Sequence, residues 1–97
     1  VLNSPKQNET IQLRISGRVQ GVGYRYAMRS VAQQLGITGW VRNMHDGSVE
    51  AMIQGNGDAL ADMAAWCAQG PAFARVDEVS KTVISGEAVH EHFKIRG

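Results

Sequence analysis

Apolar and polar residues first alternate at Ile11, Leu13 and Ile15, with Gln12, Arg14 and Ser16 between them. A period of two is that of a strand with one buried face. Gly17 to Tyr24 holds three glycines and reads as a loop. From Tyr24 the spacing changes. Tyr24, Met28, Val31 and Leu35 recur as the buried stripe of a helix does, and Gly36 stands where a left-handed cap closes one. A strand is expected over Thr38 to Met44, then a hairpin turn at Asp46-Gly47. In the next strand Val49, Ala51 and Ile53 point inward, and Glu50, Met52 and Gln54 outward. Gly55-Asn56-Gly57 breaks that strand, and Asp58 lies near the start of a second helix over residues 58–69, where negative charge is favoured. Leu60, Met63, Ala64 and Cys67 form its apolar stripe, and Gly70-Pro71 stops it. A further strand runs from Arg75 to Ile84. Its Val76 and Val79 are three apart, which breaks strict alternation and implies a bulge. Ser85 to His90 is a loop, and Phe93 and Ile95 mark a short last strand.

The order is strand, helix, strand, strand, helix, strand, with a short fifth strand. Because the middle strands form a hairpin, the compact solution is a ferredoxin-like α+β sandwich: an antiparallel sheet with both helices on one face. At 97 residues the chain has the size of one domain. Residues 1–8 offer nothing to bury and read as a disordered lead-in to a domain over 9–97. The single cysteine, Cys67, excludes an internal disulfide, and a reducing cytoplasm is the expected compartment. No apolar run reaches the roughly 20 residues of a membrane span.

Charge adds a functional hint. Residues 1–48 carry a net +4 and residues 49–97 a net −3, and no Asp or Glu occurs between Thr10 and His45, where five arginines lie. This asymmetry predicts a positive face. Since the whole chain is nearly neutral, a small anion is the better match than a long nucleic acid.

The segment from Gly17 to Arg25 is where that anion fits best. It joins a strand to a helix N-terminus, whose first N–H groups lack internal acceptors and carry partial positive charge. Such an end ordinarily has a polar cap and acids in the first turn. Here there is no acid, and Arg25 stands where a cation is disfavoured. A bound anion resolves both anomalies: glycines permit close approach, free N–H groups meet its oxygens, and Arg25 adds a forked contact. The pattern is neither a Walker A loop nor a dinucleotide fingerprint, because no Gly-Lys-Ser/Thr follows and Tyr26 occupies the place of the third glycine. A second cluster is Gly39-Trp40-Val41-Arg42-Asn43. Taken alone, Asn43 reads as a residue that opens the hairpin; it also has the chemistry to orient a water.

Together the two clusters resemble a known family. Ile15-Ser16-Gly17-Arg18-Val19-Gln20-Gly21-Val22-Gly23-Tyr24-Arg25 resembles the first signature of the acylphosphatases. Gly39-Trp40-Val41-Arg42-Asn43, then Gly47, Val49 and Gly55, resembles their second, in the same order and at the family's separation. The resemblance spans about residues 9–97. Tyr24 stands where the family usually has Phe or Met, and keeps the aromatic body. The resemblance implies a ferredoxin-like sandwich that hydrolyses the carboxyl–phosphate bond of acyl phosphates, releasing inorganic phosphate, with no metal, cofactor or covalent intermediate. On this chain it implies that Arg25 binds the phosphoryl group with the loop amides of Gln20, Gly21, Val22, Gly23, Tyr24 and Arg25, and that Asn43 positions the attacking water. A monomer is expected, with neither nucleic acid nor membrane as partner. The competing reading is a regulatory module of the same fold that holds an anion without turning it over.

The remaining chemistry-bearing residues read as structural. His90 and His92 alternate on one strand face, His45 precedes the turn, and Cys67 lies on an apolar stripe. Arg14, Arg29 and Arg42 read as solvated side chains that extend the positive field.

Overall fold

Seven elements follow one another in the computed structural model, which describes residues 9–86 and 89–97. They are β1 (Glu9–Arg18), α1 (Tyr24–Leu35), β2 (Thr38–Asn43), β3 (Val49–Gly55), α2 (Gly57–Gln69), β4 (Arg75–Ile84) and β5 (Phe93–Ile95). The lead-in expected over residues 1–8 lies outside the described residues.

The strands form one sheet in the order β4-β1-β3-β2-β5. The four longer strands pair antiparallel throughout, as the pattern requires. The short β5 pairs in parallel with β2, so the sheet is mixed at that edge. Both helices pack on one face of it, because their buried residues join the same core. Met28 and Ala32 of α1, and Leu60, Met63 and Cys67 of α2, meet Leu13, Ile15, Val41, Val49, Ala51 and Ile53 of the sheet. Every one of these sheet residues is inward by the period of two. Gly36 closes α1 in the left-handed conformation, with φ 72°. At the start of α2 the capping group is Asn56, whose Oδ1 accepts from the Ala59 N–H at 2.8 Å, while Asp58 supplies charge to the first turn.

Three local features differ from the pattern or sharpen it. First, β1 runs two residues past the expected loop boundary: Gly17 and Arg18 pair with Val76 and Arg75. The register shifts between Ser16 and Gly17, leaving Asp77 as the extra residue of the bulge that the Val76 and Val79 spacing implied. A Cβ at Gly17 would overlap the Arg75 carbonyl, so the strands close there only around glycine. Second, Glu50 and Gln54 take the outward direction expected of them yet are buried, at 5% and 4% exposure. Long neighbours on flanking strands cover them. Glu50 accepts from Gln12 Nε2 and from Arg42 Nε, the latter at 2.8 Å, and Gln54 donates to Thr10 at 3.1 Å. Third, β2 stops at Asn43, and Met44 belongs to the turn. In that turn Asp46 Oδ1 accepts from the Ser48 N–H at 2.9 Å and from its hydroxyl at 2.6 Å. Those bonds favour the charged carboxylate and hold the Asp46 pKa low.

Tyr24 anchors the first turn of α1. Its ring is buried 5.4 Å from that of Trp66, and its hydroxyl donates to the Cys67 carbonyl at 2.8 Å. Burial pushes its pKa far above the ordinary tyrosine value, so it acts as a neutral donor. Burial likewise pushes the Cys67 thiol up to about 12, as befits a core thiol rather than a nucleophile.

Candidate active site

β1 and β2 run in the same direction with β3 between them, so both end at the same edge of the fold. The loop after β1 and the last residue of β2 therefore meet there, at the start of α1. Val19 draws the loop down into the core, at 1% exposure. Gly21 and Gly23 then take positive φ, 75° and 77°, a conformation that a side chain would strain. Gly23 occupies the N-cap of α1 without any side-chain cap, and no acid lies in the first turn. The first helical bond runs from the Ala27 N–H to the Gly23 carbonyl at 3.0 Å. The N–H groups of Tyr24, Arg25 and Tyr26 therefore precede the first internal acceptor and aim out of the helix end.

Those groups open on a pocket of about 170 Å³. Gly21, Gly23, Tyr24 and Arg25 line it from the loop side, and Asn43 lines it from the sheet. Asn43 reaches it because it shares the inward face with Val41, two residues earlier. Its Oδ1 is buried and has no hydrogen-bond partner, the one such side-chain atom found among the described residues. A buried acceptor without a donor is costly, by about 1–3 kcal/mol, and uncommon away from functional sites. Arg25 is half-buried, and its Nη1 donates to the Arg96 carbonyl at 3.3 Å, which leans the guanidinium toward the end of β5. The pocket lining contains no carboxylate, imidazole or thiol. It offers donors, one cation and one unpaired acceptor.

Two residues of the loop face elsewhere. Val22 packs against the core. Gln20 turns its side chain away from the pocket, and its Nε2 donates to the carbonyls of Met44 at 2.8 Å and Ser48 at 2.9 Å. It thus ties the loop to the hairpin that follows Asn43, fixing one wall of the pocket relative to the other. Gln20→Leu is expected to lower stability by about 1–2 kcal/mol, since two carbonyls lose their shared donor. It is also expected to raise KM severalfold, which steady-state kinetics beside a thermal melt would check. Val19 and Tyr26 line the pocket as well, and neither was singled out by its residue type. Tyr26 had a signal available: it lies two helical positions from the buried Tyr24 and therefore on the opposite side of α1.

The other candidates are engaged outside the pocket. Arg42 is ion-paired with Glu50 at 2.7 Å, and Arg14 meets Asp46 at 3.5 Å. His90 and His92 border a separate concavity with Trp40 and Arg96. No group of three or more His, Cys, Asp or Glu side chains comes together among the described residues.

The sandwich is an α+β domain with a pocket at an uncapped helix end, lined by Arg25 and Asn43, and comparison with known proteins narrows this further. A model of the acylphosphatase family matches residues 11–95. An acylphosphatase of Thiobacillus denitrificans is 49% identical over 79 residues, covering 81% of this chain and 89% of that protein. The structure of an acylphosphatase from Coxiella burnetii superposes with a TM-score of 0.87 at 35% identity, over 92% of this chain and 93% of that one. The crystal structure of acylphosphatase from Bacillus subtilis gives 0.89 at 32% identity, over 92% and 99%. The chain belongs to the acylphosphatase family.

Proposed function

We propose that the protein hydrolyses acyl phosphates to a carboxylate and inorganic phosphate, by in-line attack of a water on phosphorus. The observation that carries this reading is that Asn43, whose buried Oδ1 has no partner, lines the same pocket as Arg25 and the uncapped start of α1. An amide oxygen accepts a hydrogen from water and so turns a lone pair toward its neighbour, without adding negative charge that would repel a phosphate.

The roles follow from the bond being broken. An acyl phosphate is a mixed anhydride, whose leaving group is a carboxylate with a pKa of about 4–5. It departs without a general acid, which suits a lining that has none. Phosphoryl transfer leaves a protein little covalent work, so positioning and charge stabilisation dominate. Arg25 and the loop amides hold the non-bridging oxygens as their charge redistributes. Asn43 holds the water on the far side of phosphorus from the leaving group. The water's proton passes to a phosphoryl oxygen of the substrate.

The same reading takes inorganic phosphate as product and needs no metal. It places the protein in the cytoplasm as a monomer. No helix among the described residues is long and apolar enough to cross a membrane. Purified protein is expected to hydrolyse benzoyl phosphate, followed by ultraviolet absorbance, at the same rate with and without EDTA. Phosphate binding without turnover would favour the regulatory module, and a requirement for added Mg²⁺ would contradict the metal-free mechanism.

A further inference from the structure

Resting on that function, we infer that Tyr26 is the platform for the acyl group and gives the enzyme a preference for acyl phosphates with a planar aromatic acyl portion. The pocket, of about 170 Å³, is walled by Gly21, Gly23 and Arg25 on the loop side and by Asn43 on the sheet side. On the proposed reading those residues take the phosphoryl group and the attacking water. The acyl portion then extends toward the rest of the lining.

The lining has one exposed large apolar side chain to receive it. Val19 and Tyr24 also border the pocket, but both are buried in the core at 1% exposure. Tyr26 borders it at 60% exposure, and the other exposed large apolar side chains, Phe73, Val83 and Val89, are not among its lining. The helix dictates this difference. Two positions on a helix turn a side chain through about 200°, so Tyr24 enters the core and Tyr26 faces away from it. Core packing therefore gives no reason for an aromatic residue there.

The ring is nevertheless held. Arg29, one turn along α1, sets its guanidinium 5.5 Å from the ring centroid. It pairs with no carboxylate among the described residues. Placement over a ring is the attractive geometry for a cation. An aromatic surface fixed beside the mouth of the cradle suits an aroyl group better than a methyl, because planar π systems gain specific stacking beyond their area.

The test compares benzoyl phosphate with acetyl phosphate in the parent, Tyr26→Ala and Tyr26→Phe. It adds calorimetric affinities for benzoylphosphonate and acetylphosphonate, which bind without turning over. Tyr26→Ala is expected to lower the benzoyl-to-acetyl ratio of kcat/KM roughly three- to tenfold, and the phosphonate affinity ratio by the same factor, the scale of one aromatic pair. Tyr26→Phe should keep both ratios. A ratio unmoved in Tyr26→Ala, or lost equally in Tyr26→Phe, would overturn the platform. Should the parent turn over neither acyl phosphate, the proposed hydrolysis fails. The phosphonate ratios then still decide the platform, which fails in turn if the alanine variant leaves them unchanged.

Discussion

Arg25→Ala is expected to lose on the order of 10²–10³ or more in kcat for an acyl phosphate, the scale on which removal of one charge-stabilising donor is felt in other enzymes. The loss belongs in kcat because the guanidinium meets charge that redistributes as the bond breaks, rather than only the resting substrate. Arg25→Lys is expected to remain poor, because an ammonium is a point charge and cannot make the two-pronged contact with a phosphoryl group. Neither variant should unfold the protein. The Arg25 side chain's hydrogen bond to the Arg96 carbonyl is long at 3.3 Å and exposed, so its loss is expected to cost within about 0.5 kcal/mol. Circular dichroism melts paired with benzoyl phosphate kinetics would check both halves. A lysine variant at the parent rate would remove Arg25 from the role given to it.

Asn43→Ala is the second large expected effect. Turnover should fall by about 10² or more while inorganic phosphate still binds within a fewfold of the parent, because the cradle of loop amides and Arg25 is intact. Stability should hold or rise slightly, since the substitution removes a buried acceptor that no group satisfies. Asn43→Asp preserves the shape and adds charge, so it should weaken phosphate binding as well as turnover. Calorimetry with phosphate, read beside kcat, separates these cases. Phosphate affinity destroyed with turnover retained would remove Asn43 from the water-positioning role.

The contrast between these two residues shows what a sequence exposes. Arg25 was legible because it breaks a local rule: a cation in the first turn of an uncapped helix conflicts with the helix dipole, and the conflict is visible in one dimension. Asn43 breaks no local rule. An asparagine before a turn is ordinary, and the role proposed for it rests on an unpaired Oδ1 that exists only once β1, β3 and β2 lie side by side. The family resemblance supplied what its surroundings in the chain could not. Gln20 shows the same limit. Its partners, the Met44 and Ser48 carbonyls, lie 24 and 28 residues away and are backbone atoms that any residue would present.

The fold divides along the same line. Alternation identified the inward faces of β1 and β3, and a three-residue apolar spacing implied a bulge between Val76 and Val79, which the pairing then places at Asp77. The parallel pairing of β5 was not legible. A strand of three residues has too little pattern to carry direction, and its neighbour β2 lies some fifty residues earlier in the chain. Burial of Glu50 was hidden for a related reason. A carboxylate on the outward face of a central strand reads as solvated until Gln12 and Arg42 close over it from either side.

Oxygen-18 tracing asks the most direct question of the site: which atom does the water strike? Benzoyl phosphate hydrolysed by the enzyme in ¹⁸O-labelled water, with the products separated and weighed by mass spectrometry, gives the answer in one experiment. Attack at phosphorus by a water seated on Asn43 predicts one labelled oxygen in the phosphate and none in the benzoate. Label in the benzoate carboxylate would mean that the carbonyl carbon is attacked, and the arrangement of Arg25, the loop amides and Asn43 around a phosphoryl group would not describe the reaction.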